Sequence, residues 1–263
     1  MTSCSWPRAN NLRLNERSLV RQALGKSAGL ICPILIFILT VTGGVADSFA
    51  QDRMFEIERG PHRSGQIALT FDAGGEADCF TDLMAALAHA HVASTFFITG
   101  KWAYENPDCA KAITKHGHQI GNHTWNHLDL TQQSDAVVRE EIQSTEVFLR
   151  DLCGQNPRPL WRAPFGARDQ RVLKIAHALG YRSIYWTLDS LDSVDPPKSA
   201  RFLFDRITHR SNNQLEGAII LMHVGERSTA AALPAIIANL QSRGFQLVTV
   251  STLLRKTVPA INN

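Results

Sequence analysis

The stretch that decides the fold is residues 67–75, with the sequence IALTFDAGG. Its first five residues are typical of a short buried strand, and Asp72 ends that strand before Gly74 and Gly75 turn the chain. Enzymes of the α/β class place catalytic groups at the carboxyl ends of the strands in a parallel sheet. Asp72 could equally cap the helix that follows, and this stretch alone leaves both interpretations open.

Strand-like and helix-like segments alternate along the chain from residue 67 onward. The strand-like segments are residues 67–72, 93–99, 118–122, 159–163, 182–188, 217–223 and 245–250. The helix-like segments are residues 78–90, 106–116, 134–152, 169–179, 199–211 and 228–242. Such alternation predicts parallel strands joined in βαβ units. Seven strand–helix units are more than a small doubly wound sheet normally contains. We therefore predict an α/β fold with a distorted, incomplete (β/α)7–8 barrel.

The first fifty residues have the pattern of a secretory signal peptide. A basic region precedes an apolar run at residues 30–41, and small residues follow up to Ala50. The run is too short for a membrane span of ~20 residues, although the long basic region leaves an uncleaved anchor open. We therefore predict an exported protein, with membrane contact only through this segment. Residues 51–65 are predicted as a linker or first loop, and residues 66–258 as one domain.

The charge balance argues against nucleic acid as a partner. The net charge is +3, but residues 1–50 hold five of the 27 basic and two of the 24 acidic residues. The rest of the chain is formally neutral, without the basic patch that nucleic-acid binding requires.

Three cysteines follow the leader: Cys79, Cys109 and Cys153. An odd number allows at most one internal disulfide, and no pair has the CxxC spacing of a metal site. Unpaired thiols are expected, and Cys79–Cys109 is the favoured pair if a disulfide forms.

Chemically active side chains follow the central predicted strands. His123 and His127 lie four residues apart after the third strand, a spacing that lets two imidazoles bind one metal. Arg162 ends the fourth strand and could pair with Asp72, although this segment taken alone favours a structural arginine in a tight turn. Because the carboxyl ends of parallel strands meet at one edge, these residues predict an active site there.

The fifth and sixth strands add to the same edge. Asp189 and Asp192 follow the fifth strand, where either could instead cap a helix. His223 ends the sixth, and a single histidine after an apolar run is more often a packed core residue. Five of the seven predicted strands nevertheless end in an ionisable or metal-binding residue, which independent structural accidents would rarely produce.

The order of five motifs resembles the polysaccharide deacetylases, carbohydrate esterase family four, also called the NodB-homology domain. The motifs are TFDxG, HTxxH, RxPxG, an aspartate-rich strand end and LxH, and they span residues 67–224. The resemblance implies a distorted (β/α) barrel that removes N-acetyl or O-acetyl groups from polysaccharides. It also implies a divalent metal, zinc in most cases and cobalt or nickel as alternatives.

The resemblance also implies roles for four catalytic residues. Asp72 matches the base that takes a proton from a metal-bound water, and Arg162 the arginine that orients this base. His223 matches the general acid, and Asp192 the aspartate that tunes it.

The metal ligands follow from the same resemblance, with one departure. His123 and His127 match two histidine ligands, but Ala73 replaces the usual third ligand, an aspartate. Water could fill that position, the metal could be bound weakly, or Asp78 or Glu76 could supply the carboxylate, with Asp78 preferred.

The predicted substrate contacts combine the resemblance with residue type. Phe165 matches the residue whose backbone N–H binds the oxyanion, and Leu221 the residue that lines the acetyl pocket. Trp125 and Trp161 are predicted to stack on sugars, although core packing would also explain tryptophans in a barrel.

Two function classes follow. The first is a monomeric, metal-dependent hydrolase that removes N-acetyl groups from peptidoglycan or a chitin-like glycan. The second is a degenerate module of the same fold that binds glycan without cleaving it, as Ala73 suggests. A decayed site usually loses several groups, whereas the base, acid, arginine and both histidines are all kept here. Ser193 stands where the family usually has tryptophan, which reshapes one wall of the groove.

Overall fold

The computed structural model describes residues 56–62 and 64–255, so the predicted leader lies outside the described residues. Its strands are β1 Glu56–Ile57, β2 Gln66–Ala73, β3 Thr95–Ile98, β4 Gln119–Asn122, β5 Leu160–Trp161, β6 Arg182–Ile184, β7 Leu188–Asp189, β8 Ile219–His223 and β9 Gln246–Leu247. Its helices are α1 Phe80–His89, α2 Gly100–Glu105, α3 Pro107–Lys115, α4 Asp135–Cys153, α5 Gln170–Ala178, α6 Ala200–Thr208, α7 Asn212–Leu215, α8 Arg227–Ser242 and α9 Val250–Leu253. In these ranges, no helix is long and apolar enough to cross a membrane.

The strands form one parallel sheet that curls into a partial barrel. Their order is β1-β6-β5-β4-β3-β2-β8-β7, and β9 adds to β2. Every strand pair is parallel, because strands that are neighbours in the sheet are joined in the chain through helices or long connections and never by a tight turn. The predicted α/β fold with a distorted, incomplete barrel is thereby confirmed.

The two edges of the sheet are joined by the segment that was predicted as one strand at residues 182–188. This segment is two short strands, β6 and β7, which belong to opposite edges of the sheet. Between them, the N–H of Tyr185 donates to the carbonyl of Ile57, and the N–H of Thr187 donates to the carbonyl of Ile219. The chain crosses the open side of the barrel here, so it cannot pair as one continuous strand.

Three other local predictions differ from the structure. The edge strand β1 lies within the predicted linker, so the folded part begins before residue 66. The strand predicted at residues 245–250 is shorter, because the Thr249 hydroxyl accepts from the N–H of Thr252 and starts α9. Helix α2 was not predicted, and Thr99 caps it in the same way through Trp102.

Because side chains alternate along a strand, β2 has one face toward the barrel interior and the other toward the layer of helices. Ala68, Thr70 and Asp72 share one face, and Phe71 and Ala73 face the other side, within the apolar cluster against the helices. The interior floor is apolar and consists of Ala68, Phe97, Leu160, Ile184, Ile219, Val250 and Leu253. The polar strand ends lie above this floor, which gives a water-accessible site a packed and rigid base.

Candidate active site

Asp72 and Arg162 form a buried ion pair at the carboxyl edge of the sheet. The Arg162 Nη1 lies 2.7 Å from the Asp72 Oδ1 and 3.0 Å from the hydroxyl of Thr70. Its Nε donates to the carbonyl of Ile184, and its guanidinium lies 4.1 Å from the ring centre of Phe97. The guanidinium is therefore fixed from several sides and holds the carboxylate in one orientation.

This pairing keeps Asp72 ionised. Burial alone raises the pKa of Asp72, but the charge of Arg162 lowers it by more, with smaller lowering contributions from the neighbouring His123 and His223. The resulting pKa lies below the ordinary value for an aspartate. A carboxylate that is ionised and held by an arginine can accept a proton without first having to lose one.

His223 stands beside Asp72, since the two residues pair across β8 and β2. Its Nδ1 donates to the Asp192 Oδ1 at 2.8 Å, and its backbone N–H donates to the Oδ2 at 2.7 Å. The Thr229 hydroxyl also donates to that Oδ2, at 2.6 Å. Asp192 is buried, whereas the His223 side chain is 28% exposed and is therefore accessible to a ligand.

The Asp192 carboxylate keeps His223 protonated. Burial alone lowers the pKa of His223, but the charge and hydrogen bond of Asp192, aided by Asp72 and Asp189, raise it to about 9. The pKa of Asp192 is itself lowered, because His223 and Thr229 outweigh the effect of burial. The neighbouring ends of β2 and β8 thus carry an ionised carboxylate and a protonated imidazole.

His123 and His127 lie close together and are both neutral. The ring centres are 4.8 Å apart, and the His123 Nε2 is 3.5 Å from the Asp72 Oδ2. Burial lowers the pKa of His123 by more than Asp72 raises it. Burial and the neighbouring His123 lower the pKa of His127 to about 3.

Two imidazoles fit a metal ion, but the third predicted ligand does not join them. The His123 Nδ1 donates to the carbonyl of Arg162 at 2.9 Å, which leaves the Nε2 lone pair free for a metal. Asp78 and Glu76 are exposed, and no three His, Cys, Asp or Glu side chains are grouped for a metal within residues 56–62 and 64–255. Asp78 instead borders a groove between α1 and α8. The structure therefore does not support Asp78 as a ligand.

The two tryptophans that were predicted to stack on sugars have different surroundings in the structure. Trp161 is 0% exposed within an apolar cluster, so its predicted contact with sugar is wrong: the indole packs the core. Trp125 is half-buried in the histidine-bearing loop and meets the ring of Phe148 edge-on. Leu221 is buried two residues before His223 on the same face of β8, a place from which it can line a small pocket.

Phe165 lies at the rim of the site. It is 66% exposed, and its ring meets that of His127 edge-on at 4.5 Å. Its φ of 58° lies in the left-handed region, within a short turn that begins at Pro164. The first N–H groups of such a turn have no partner inside it, so this N–H can serve a ligand.

Three further residues hold the site together, although their roles could not be read from the sequence. Thr70 donates from its hydroxyl to the carbonyl of Ile220 and accepts from Arg162. Thr229 binds Asp192 from the third residue of α8, and Glu141 binds the loop between the two histidines. Thr70 stands in the TFDxG motif, which does not show its contact with Arg162, and no local pattern marks Thr229 or Glu141, because each acts on a residue distant in the chain.

The three cysteines of the described chain, Cys79, Cys109 and Cys153, are all free thiols. Unpaired thiols were expected, and the Cys79–Cys109 disulfide does not form in this structure.

A carboxylate and an imidazole of opposite charge, side by side at the carboxyl edge of an α/β barrel, are an arrangement suited to acid–base chemistry. The profile of the family described as polysaccharide deacetylase matches residues 59–184. A peptidoglycan-N-acetylglucosamine deacetylase of Bacillus cereus is 34% identical over 200 residues, which cover 74% of this chain and 91% of that protein. The chain belongs to the polysaccharide deacetylase family.

Two further similar proteins are a deacetylase that is much longer than the matched region and a protein described as a pseudoenzyme. Peptidoglycan-N-acetylglucosamine deacetylase PgdA of Listeria monocytogenes is 32% identical over 72% of this chain, which spans 38% of that protein. The crystal structure of BA3943 from Bacillus anthracis, described as a CE4 family pseudoenzyme, has a TM-score of 0.71 at 28% identity. That match covers 76% of this chain and 69% of the other.

Proposed function

We propose that this protein is an exported, metal-dependent hydrolase that removes N-acetyl groups from a polysaccharide, with peptidoglycan or a chitin-like glycan as the substrate. The observation that carries the proposal is the ionised Asp72 beside the protonated His223. Amide hydrolysis needs one group that takes a proton from water and another that gives a proton to the amine. Here Arg162 keeps Asp72 ionised, and Asp192 keeps His223 protonated.

Asp72 is the proposed base. Its carboxylate would take the proton of the attacking water while Arg162 keeps it oriented through the 2.7 Å contact. The arginine cannot take that proton itself, because a guanidinium stays charged in proteins.

His223 is the proposed acid. It would deliver its proton to the nitrogen of the leaving sugar amine, which departs poorly as an anion. Asp192 holds the Nδ1 side of the ring, so the opposite nitrogen faces the cleft and carries the transferable proton.

The N–H of Phe165 is the proposed donor to the oxyanion that forms on the acetyl carbonyl. A single donor of this kind contributes about 3 kcal/mol to catalysis in other hydrolases. Leu221 would line the pocket for the acetyl methyl group, since it lies directly below His223 on the inner face of β8.

His123 and His127 would hold the divalent metal, which we propose is zinc, with cobalt or nickel as alternatives. A cation bound there lowers the pKa of water and polarises the acetyl carbonyl. Both imidazoles are neutral, as metal binding requires, and the carbonyl of Arg162 orients one of them. With only two protein ligands described, we expect weaker binding than at a site with three.

The substrate class and the place of action follow from the family and the leader. Two relatives are named for peptidoglycan deacetylation, a reaction at the cell wall. A signal-like leader at residues 1–50 would bring this chain to the same compartment, as a monomer that binds no nucleic acid.

Release of acetate from N-acetylated glycans tests the proposal. The full-length protein is incubated with peptidoglycan, chitin oligomers and acetylated xylan, with chelator and then with added zinc, cobalt or nickel. We expect chelator to abolish release and metal to restore it. Asp72→Asn should lower turnover by about 100- to 10,000-fold while glycan binding persists. Asp151→Asn, an exposed carboxylate on α4, is the matched control and should leave turnover unchanged.

A glycan-binding module of the same fold is the second candidate. Ala73 at the usual ligand position and the likeness to a protein described as a pseudoenzyme both favour it. Folded, metal-loaded protein that binds glycan but releases no acetate from any of the three substrates would support this candidate and refute the hydrolase.

A further inference from the structure

The loop that carries the second histidine adopts an unfavourable backbone conformation. We refer to residues 123–127 as the histidine loop. His123 is anchored by β-structure, since its N–H donates to the carbonyl of Ile98. Thr124 and His127 have φ values of 67° and 59°, in the left-handed region that side chains other than glycine disfavour. Residues held in this region are strained, so other contacts must hold the loop.

Glu141 on α4 supplies those contacts on one side. Its Oε2 accepts from the N–H of Trp125 at 2.9 Å and from the N–H of Asn126 at 2.7 Å. Its Oε1 accepts from the side-chain amide of Asn126 at 2.6 Å. The residue is only 4% exposed, so these donors replace the water that a carboxylate otherwise needs.

The start of α2 binds the other side of the histidine loop. The N–H of Gly100 donates to the carbonyl of Thr124, and the N–H of Lys101 donates to the carbonyl of Trp125. The loop carbonyls thus face α2, while its N–H groups face Glu141. This leaves the segment between the two histidines little freedom to move.

We propose that Glu141 is a positioning residue that sets His127 relative to His123 and thereby sets the affinity of the pair for a divalent cation, an inference that rests on the proposed metal-dependent function. The anchors of His123 are the strand and the carbonyl of Arg162, neither of which involves Glu141. The backbone just before His127 instead depends on this carboxylate. Residues that orient metal ligands in this way typically change metal affinity by about 10- to 100-fold when they are replaced.

The test measures zinc binding and backbone protection in the full-length protein. Zinc affinity of the metal-stripped protein is determined by calorimetry, and exchange of the Trp125 and Asn126 amides by hydrogen–deuterium exchange. Glu141→Ala should weaken zinc binding by about 10- to 100-fold and speed exchange at both amides. Glu141→Gln keeps one acceptor oxygen and most of the shape, so it should fall between wild type and alanine.

Glu140→Gln is the matched control, because Glu140 is the exposed neighbour on the same helix. It should change neither measurement, and a thermal unfolding curve for each variant verifies folding. Wild-type zinc affinity in both Glu141 variants, or unchanged exchange at the two amides, would overturn the inference. Wild-type protein that binds no zinc, cobalt or nickel would instead refute the proposed metal-dependent function.

Discussion

Replacing Asp192 by asparagine tests the proposed acid directly. The amide has the size of the carboxylate and keeps one oxygen to accept hydrogen bonds, but it carries no charge. In the structure this charge is the leading cause that raises the pKa of His223 from 6.5 to about 9. Without it, we expect the pKa of His223 to return to about 6.5 or lower, since burial is then opposed only by the smaller effects of Asp72 and Asp189.

The size of the effect depends on pH in a defined way. A fall from about 9 to about 6.5 corresponds to roughly 3 kcal/mol in favour of the neutral imidazole. At about pH 8, close to nine-tenths of His223 is protonated in the wild type, against roughly 3% in Asp192→Asn, a ratio of ~30 in rate. At about pH 6 most of the imidazole is protonated in both proteins, so the ratio should be below about two.

The assay is the initial rate of acetate release between pH 5 and 10, at saturating metal and glycan. The alkaline limb of the wild-type profile should lie near pH 9, and that of Asp192→Asn near pH 6.5 or lower. Asp195→Asn, an exposed aspartate in the same loop, is the control and should keep the wild-type profile. An equal loss of rate at every pH, or an unmoved alkaline limb, would refute the role of Asp192 in keeping His223 protonated.

Two predictions concern stability. Arg162→Met leaves the buried Asp72 carboxylate without its cation, so chemical denaturation should show a loss of about 3–5 kcal/mol, of which Arg162→Lys recovers only part. An unchanged midpoint would contradict the importance of the pair. Gly100→Ala places a Cβ only 2.2 Å from the Trp125 Cε3, so we expect a loss of about 1–3 kcal/mol. Gly75→Ala is the control, because its added Cβ meets no atom within 4 Å, and an equal loss there would refute the steric explanation.

Much of the site could be predicted because its residues follow apolar strands. Asp72 ends β2 and His223 ends β8, and both places can be read from an apolar run followed by a polar residue. Parallel strands bring such ends to one edge, so the alternation with helices already predicts that the two residues meet. The barrel class followed for the same reason, since it depends on the order of elements along the chain.

Contacts between distant segments could not be predicted in this way. The strand at residues 182–188 reads as continuous, yet it breaks because it must join two sheet edges whose positions depend on the whole barrel. Trp161 is of a residue type that often stacks on sugars, and only the packing of α4 and α5 against it places it in the core. Asp78 is close to Ala73 in sequence, but the fold places it at the groove between α1 and α8.

The sequence by itself therefore determined the fold class and which residue types stand at the catalytic edge, because both are encoded by local periodicity and strand ends. Only the tertiary structure decided the protonation states of these residues. The ionised Asp72 requires Arg162 ninety residues away, and the protonated His223 requires Asp192, thirty-one residues away, with Thr229 behind it. The free energy of a bound proton depends on charges and burial within a few ångströms, and that proximity exists only once the sheet has folded into its curled form.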